Sequence, residues 1–144
     1  MRAKEYLRQL PEARKALECR MNHIKELKAN ISYMKGMRYD AVRVQTSPSG
    51  ESLPQKQVEE LADMERQLLA EMVKYHKLRY KITREIEQLP DERFREVLIL
   101  RYVEGMSLRE VAEKMGYSQD RIKHIHGYSL LSFTQMHLNQ HLAP

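Results

Sequence analysis

The sequence predicts an all-α protein in which a long antiparallel two-helix, coiled-coil-like hairpin precedes a helix-turn-helix domain. Apolar residues recur every seven positions in two long stretches, and a stretch rich in Ser, Pro and Gly separates them. Two shorter helical patterns then meet at Gly116, and capping residues mark where each begins. We therefore divide the 144 residues into a hairpin at 1–88, with its loop at about 36–53, and a helix-turn-helix domain at 89–144.

The first helix is predicted over residues 3–35. Its apolar stripe consists of Leu10, Leu17, Ile24 and Ile31, with Ala13, Leu27 and Met34 three positions further on. Such a stripe faces one partner surface, as in a coiled coil. Pro11 is tolerated in a first turn or at a kink, so the helix either begins there or kinks just before it. Residues 38–52 lack a helical period and are predicted to be a connector, in which VRV at 42–44 could form a short extended piece.

The second helix is predicted from Leu53 to Gln88. Its stripe is Leu61, Leu68, Tyr75, Ile82 and Leu89, flanked by Val58, Met64, Met72, Leu78 and Ile86. Two long amphipathic helices joined by a loop fold back on each other antiparallel. The two stripes form a mutual core, and apolar surface left over can pair with a second copy because a hairpin buries little alone. We expect a homodimer and take Leu61, Leu68 and Ile82 as its candidate seam.

The third helix follows Pro90, which ends the second helix and suits the first turn of the next. The segment DERFREVLILRYVEG is compact and apolar, and Gly105 stops it. Ser107 and Glu110 then form the signature of a capping box for a fourth helix. These signals predict two short helices in close succession.

The last helix begins after a left-handed turn at Gly116 and is capped by Ser118. The inward positions of this helix pair are Leu108, Val111, Ala112, Met115, Ile122, Ile125 and Leu130. A polar outer face remains, and a helix start of this kind can enter the major groove of DNA. The residues that we assign to DNA are Ser107, Ser118, Gln119, Asp120, Arg121, Lys123, His124 and Tyr128.

The outward side chains match base edges and phosphates by their chemistry. Gln119 can pair with adenine, and Asp120 can accept a hydrogen bond from cytosine. Lys123 or His124 can donate to guanine. Arg121 is better placed for a phosphate, to which Ser118 could also donate.

The segment LPDERFREVLILRYVEGMSLREVAEKMGYSQDRIKHIHGYSL resembles region four, the promoter-reading part, of bacterial sigma factors. It is more similar still to small phage and prophage sigma-like transcriptional regulators of the RinA and ArpU type. By this resemblance the positions that meet the −35 element are Gln119, Asp120, Lys123 and His124, and Arg121 approaches the backbone. The resemblance implies a sequence-specific regulator that reads a −35-like or operator element in double-stranded DNA. It also makes RNA polymerase a candidate partner.

An accessory role is favoured over that of a complete sigma factor. Promoter opening needs a second module with exposed aromatic side chains, yet the chain has no Trp and residues 1–90 are taken up by the hairpin. Gly127, a helix-weakening residue within the last helix, is predicted to allow close packing or a bend.

The charge is uneven along the chain, whose net charge is +5. Residues 1–44 carry 11 Lys and Arg against 5 Asp and Glu, whereas residues 91–144 carry 7 of each. The basic residues of the first stretch are Arg2, Lys4, Arg8, Arg14, Lys15, Arg20, Lys25, Lys28, Lys35, Arg38 and Arg43. Either they supply part of the attraction for DNA phosphates, or they are the solvated face opposite the apolar stripe.

The composition argues against several other classes of protein. Cys19 is the only cysteine, which excludes an internal disulfide or a cysteine zinc site and fits a reducing cytoplasm. No apolar run approaches a membrane span of about 20 residues, and the amino terminus lacks a signal-peptide core. His137 and His141 stand four apart near His124 and His126, but no Glu follows them as in a zinc hydrolase. We interpret them as a frayed polar tail, and expect no enzyme activity, metal or cofactor.

Two binding functions remain as alternatives to a regulator. Small terminase subunits of phages also join a helix-turn-helix to helical oligomerisation segments, and a closed ring of many copies would favour that packaging role over a dimeric regulator. In a pure interaction protein the basic first helix would bind a partner, and no sequence-specific DNA binding would occur.

Overall fold

The fold is described from a computed structural model, over residues 2–41 and 53–142. The helices are α1 (Ala3–Ala41), α2 (Leu53–Glu87), α3 (Glu92–Leu98), α4 (Leu108–Met115) and α5 (Gln119–Leu142), and α3 continues into a π-helical segment, Ile99–Val103. Within those two ranges there is no strand, and the all-α prediction is confirmed.

The chain divides into two compact units that differ from the predicted domains in composition. Unit 1 comprises Met1–Arg14 and Tyr75–Pro144, and unit 2 comprises Lys15–Lys74. Both long helices thus contribute to both units. The boundary between residues 88 and 89 predicts that the segments 1–88 and 89–144 fold independently, and it stays a prediction.

Helix α1 begins at the predicted residue and ends later than the sequence indicated. It begins at Ala3 and runs through Pro11, so the alternative in which the helix begins at Pro11 is wrong. It continues to Ala41, so the loop does not begin at about residue 36. The reason is local: after Gly36 the next strong helix breakers are the Pro and Gly of the SPSG stretch at 47–50. The VRV piece lies outside the described residues.

Unit 2 is a two-helix hairpin whose helices run antiparallel. Arg20 pairs with Glu71 at 2.6 Å and Lys28 with Glu65 at 2.7 Å, so partners in α2 step backward as residues in α1 step forward. The predicted α1 stripe is buried here, at Leu17, Ile24 and Ile31. Because exposed ion pairs stabilise by only about 0–1 kcal/mol, this apolar stripe holds the hairpin together.

Unit 1 packs the first turns of α1 and the end of α2 together with the carboxy-terminal helices. Its fully buried side chains include Leu7, Leu10, Ile82, Ile86, Leu89, Leu98 and Phe133. Ile82 has no exposed surface. It therefore cannot line an intermolecular seam, and that part of the predicted seam is wrong.

Arg14 ties α1 to the end of the π-helical segment. Its guanidinium donates to the carbonyl oxygens of Val103 and Glu104, the latter at 2.7 Å, and to the Tyr75 hydroxyl at 3.1 Å. Carbonyls at a helix end lack partners within the helix, so an Arg from another element satisfies them. Gly105 has φ +75°, and a Cβ there would collide with the Arg14 guanidinium. The positive φ therefore favours glycine, and a larger residue would also have to displace the Arg14 guanidinium.

The connection from α2 into α3 departs from the prediction at Pro90. Helix α3 begins at Glu92, and the Oδ1 atom of its N-cap Asp91 accepts from the Arg93 amide at 2.9 Å. Pro90 therefore precedes the cap and is not in the first turn. Asp91 is the better cap because its side chain satisfies an amide at the helix start.

Candidate nucleic-acid interface

The turn between α4 and α5 is built by the capping chemistry that the sequence predicted. The Ser107 hydroxyl accepts from the Glu110 amide at 3.2 Å, and the Glu110 carboxylate accepts from the Ser107 amide at 2.8 Å. Gly116 has φ +72°, and the next amide, of Tyr117, donates to the Ala112 carbonyl at 3.0 Å. This left-handed ending fixes the direction in which α5 leaves the turn.

A small apolar core beneath the turn holds the two helices at a fixed angle. It contains Val97, Leu100, Val111, Ala112, Ile122 and Ile125, with Phe94, Met106, Leu108, Met115 and Tyr117 packed against it. The predicted inward set is confirmed with one difference, because Leu130 lies outside this cluster. The buried positions further along α5 are Ser129 and Phe133.

The π-helical segment explains how α3 serves two interfaces. The Glu104 amide donates to the Ile99 carbonyl at 2.8 Å, a five-residue spacing that widens the helix. Val97 and Leu100 join the core under the turn, whereas Tyr102 is buried outside that cluster. No feature of the sequence pattern predicted this change of register.

The amino-terminal turns of α5 present polar side chains to solvent. The Ser118 hydroxyl accepts from the Arg121 amide at 3.2 Å, which leaves its hydrogen free to donate to a phosphate. All eight residues that the sequence assigned to DNA are exposed. Gln119 and Lys123 stand one turn apart on α5, as do Asp120 and His124, so these four side chains share one surface.

His124 is oriented by its own helix. Its Nδ1 atom lies 2.7 Å from the Asp120 carbonyl oxygen, which can only accept, so Nδ1 carries the hydrogen. In the neutral ring Nε2 is then an acceptor. A neutral His124 therefore suits the exocyclic amino group of adenine or cytosine, and it can donate to guanine only when protonated.

Arg121 extends back toward the turn and away from the base-reading positions. Its guanidinium carbon lies 5.0 Å from the centroid of the Tyr117 ring. A cation held over an aromatic ring loses little freedom when it binds an anion. This geometry fits the predicted contact with a backbone phosphate.

A histidine on α5 that the sequence analysis left without a role lies against the π-helical segment. The Nε2 atom of His126 is 2.8 Å from the Tyr102 hydroxyl, and the two rings are stacked with centroids 5.7 Å apart. Burial, and then the positive charges of Arg101 and Lys4, lower the pKa of His126 to about 4. The ring is therefore neutral at pH 7.

The carboxy-terminal histidine that we interpreted as part of a frayed tail is held in place. The ring centroids of His137 and Phe133 are 4.4 Å apart, and the Nε2 atom of His137 is 3.1 Å from a Glu85 oxygen. Tyr6 donates to the same carboxylate at 2.8 Å, and burial followed by the Glu85 interaction raises the pKa of Tyr6. The tail prediction is wrong at His137, because α5 continues to Leu142 and packs within unit 1.

This aromatic and carboxylate cluster borders a cavity of about 500 Å³. The lining residues are Ala3, Tyr6, Lys81, Glu85, Phe133, Thr134, His137, Leu138 and Gln140. Among the residues that the structure describes, no group of three or more His, Cys, Asp or Glu side chains could hold a metal ion. In the same part of the chain, no helix has the length and apolar character needed to span a bilayer.

Comparison with known proteins identifies the class of this domain. Residues 86–132 match the family model for sigma-70, region 4, over about one third of the chain. The matched segment contains all of α3 and α4, the π-helical segment and the first part of α5. No curated protein and no solved structure matches the chain significantly. The chain thus carries a sigma region-4-like, DNA-binding helix-turn-helix, as the resemblance implied.

Proposed function

We propose that the protein is a sequence-specific transcriptional regulator of the phage or prophage sigma-like type. It reads a −35-like or operator element with the helix that begins at Ser118. One observation carries this proposal: the region-4 match coincides with a capped helix pair whose second helix exposes Gln119 and Lys123 on its first turns. A polar, well-anchored helix start is what base reading in the major groove requires.

The roles within the site follow from the geometry of each side chain. Gln119 and Lys123 form bidentate or direct contacts to base edges, and Asp120 and His124 accept from amino groups of neighbouring bases. Arg121, held over Tyr117, binds a phosphate. The free hydroxyl hydrogens of Ser107 and Ser118 and the exposed Tyr128 hydroxyl supply further backbone contacts.

A homodimer is part of the proposal, and unit 2 supplies its interface. Val58, Leu69 and Val73 lie on α2 with 42%, 63% and 48% of their surface exposed. They form a second apolar stripe beside the one that faces α1, and a two-helix hairpin gains stability when such a stripe is covered. A dimer reads two half-sites, as helix-turn-helix regulators do. RNA polymerase is a candidate second partner of a regulator that works in the bacterial cytoplasm.

The proposal is tested by selecting bound sequences from a pool of random duplexes. The wild-type chain should enrich one motif. Gln119→Ala or Lys123→Ala should relax preference at one or two base pairs, at a cost of about 1–3 kcal/mol each. Arg121→Ala should weaken binding to every sequence and lower the salt slope by roughly one unit.

Gln135→Ala is the matched control, since Gln135 is exposed further along the same helix. It should bind and select as the wild type does. If neither Gln119→Ala nor Lys123→Ala alters the motif, the assignment of the reading helix is wrong. A closed ring of many subunits in light scattering would instead support a packaging role.

A further inference from the structure

The first two turns of α1 have a fixed rotation within unit 1. Leu7 is fully buried, and Tyr6 on one side of it donates to the Glu85 carboxylate at 2.8 Å. At 100° per residue, Lys4 and Arg8 fall together on the other side of Leu7, one turn apart. Both are exposed. The helix therefore presents a pair of cations along one flank.

That flank lies beside α5. This part of α1 packs on α5, because the Tyr6 ring stacks on the Phe133 ring with centroids 6.1 Å apart. Burial lowers the pKa of His126 and raises the pKa of Tyr102, and the positive charges of Lys4 and Arg8 lower the pKa of His126 and of Tyr102, respectively. These two target residues are in contact, with 2.8 Å between the Tyr102 hydroxyl and the His126 ring. Arg101 adds a third positive charge, with its guanidinium 6.0 Å from the centroid of the Tyr102 ring. Three positive charges thus act on the contact between Tyr102 and His126.

His126 lies on the edge of α5 that carries two of the residues proposed to read bases. His126 follows Lys123 by three residues and Gln119 by seven, spacings that place all three along one edge of a helix. His126 is neutral at pH 7 and half-buried, so it adds no charge there. Besides Lys123, the positive charge near this edge comes from α1 and the π-helical segment, and the balance of residues 91–144 leaves out the contribution of Lys4 and Arg8.

Three other cations of the first helix have partners within the chain. Arg14 bonds to backbone carbonyls, and Arg20 and Lys28 pair with Glu71 and Glu65. In the part of the chain that the structure describes, neither Lys4 nor Arg8 forms an ion pair. These two side chains can bind an external anion without breaking an internal bond.

We propose that Lys4 and Arg8 bind phosphates of the DNA strand that runs beside the edge of α5 bearing Gln119 and Lys123. This inference rests on the proposed function and extends the DNA contact to α1. The contacts position the duplex and carry no sequence information. Binding two phosphates releases counterions, so affinity gains a salt-dependent contribution from each.

The test compares full-length proteins in titrations of affinity against salt, with the duplex selected by the wild type. The double variant Lys4→Ala, Arg8→Ala should lose about two units of the slope of log K against log salt and bind roughly ten- to fiftyfold more weakly near 0.1 M salt. Its selected motif should stay the same. The charge-preserving exchange Lys4→Arg, Arg8→Lys should keep the wild-type slope.

The matched control is Lys25→Ala, Lys56→Ala, which removes two exposed positive charges from unit 2. An equal loss of slope in this control would overturn the inference, because net charge alone would then be responsible. An unchanged slope in the Lys4, Arg8 variant, or a changed motif, would also overturn it. Equal thermal midpoints of the wild type and the double variant show that a folding defect does not cause the loss of slope. The same reduced slope in the variant Lys4→Gln, Arg8→Gln shows this too. A wild type that binds no duplex would refute the proposed function itself.

Discussion

Units 1 and 2 both contain parts of the two long helices, but they shield their apolar residues from solvent to different degrees. In unit 1, Leu7, Ile82 and Phe133 have at most 1% of their surface exposed. In unit 2 the buried stripe of α1 keeps 5–8% exposed, and Leu69 on α2 is 63% exposed. The difference arises because unit 1 surrounds its apolar residues with several helices, whereas the described part of unit 2 has only α1 and α2.

The closed core of unit 1 and the exposed apolar stripe of unit 2 suit different functions. A closed core gives unit 1 a rigid base on which the exposed residues of α5 hold their geometry. An open apolar stripe makes unit 2 suited to association with a second copy. We therefore assign base reading to unit 1 and self-association to unit 2.

The largest effect is expected from opening the core of unit 1. Leu7→Ala should lower the free energy of unfolding by about 2–5 kcal/mol, because it removes a fully buried side chain. Hydrogen exchange of α4 and α5 amides should accelerate with it. Leu131→Ala, at an exposed position of α5, should change stability by less than about 0.5 kcal/mol. Unchanged protection of α5 in Leu7→Ala would instead support an independent domain at 89–144.

Two neighbouring leucines of unit 2 separate hairpin packing from self-association. Leu69→Asp places a charge on the exposed stripe and should weaken the proposed dimer at least about tenfold, since burying a leucine contributes roughly 1.5–3 kcal/mol. Leu68→Asp should unfold the hairpin or yield monomers, because Leu68 is half-buried and α1 is the only other described helix of that unit. Light scattering and circular dichroism measure the two effects. A folded wild-type monomer at high concentration would remove the dimer.

Acid should destabilise unit 1 through His126. Its pKa is about 4 in the folded chain, below the ordinary value near 6.5, so the unfolded chain takes up a proton first as the pH falls. The contribution of His126 to the free energy of unfolding is therefore complete above pH 6.5. It declines by about 1–2 kcal/mol toward pH 4, a figure reduced for solvent screening at the partly exposed ring. His126→Gln should remove this slope, and His23→Gln at an exposed site of unit 2 should retain it. Identical slopes for wild type and His126→Gln would refute the assignment.

The smallest effect is a gain in stability at Gly127. The predicted close packing is wrong there, because a Cβ at this position would meet no atom within 4 Å among the described residues. Gly127→Ala should raise the free energy of unfolding by about 0.5–1 kcal/mol through helix propensity. Gly116→Ala should have the opposite sign, since φ is +72° at that turn. Chemical denaturation compares the pair, and a loss of stability in Gly127→Ala would indicate an unseen packing constraint.

Local chemistry made the turn of the candidate site predictable. Ser107, Gly116 and Ser118 act through bonds to backbone groups a few residues away, so their spacing alone locates the caps and the turn. The heptad stripe of α1 was likewise readable, because burial on a helix follows its period. The outward face of α5 followed from the same period.

Contacts between distant residues were decided only by the tertiary structure. Neither Arg14 on the carbonyls of Val103 and Glu104 nor Lys4 beside His126 leaves a signal in local spacing, since each joins residues about 90 or more positions apart. The π-helical segment was also absent from the sequence pattern, and it supplies Leu100 to the core under the turn and Tyr102 to the contact with His126. The sequence by itself therefore determined the order of the helices, the caps at Ser107 and Ser118 and the polar outer face of α5, where the interactions span a turn or two. Which cations have partners within the chain was decided by long-range packing, because the same residue type can be an internal bond donor or a solvent-exposed charge.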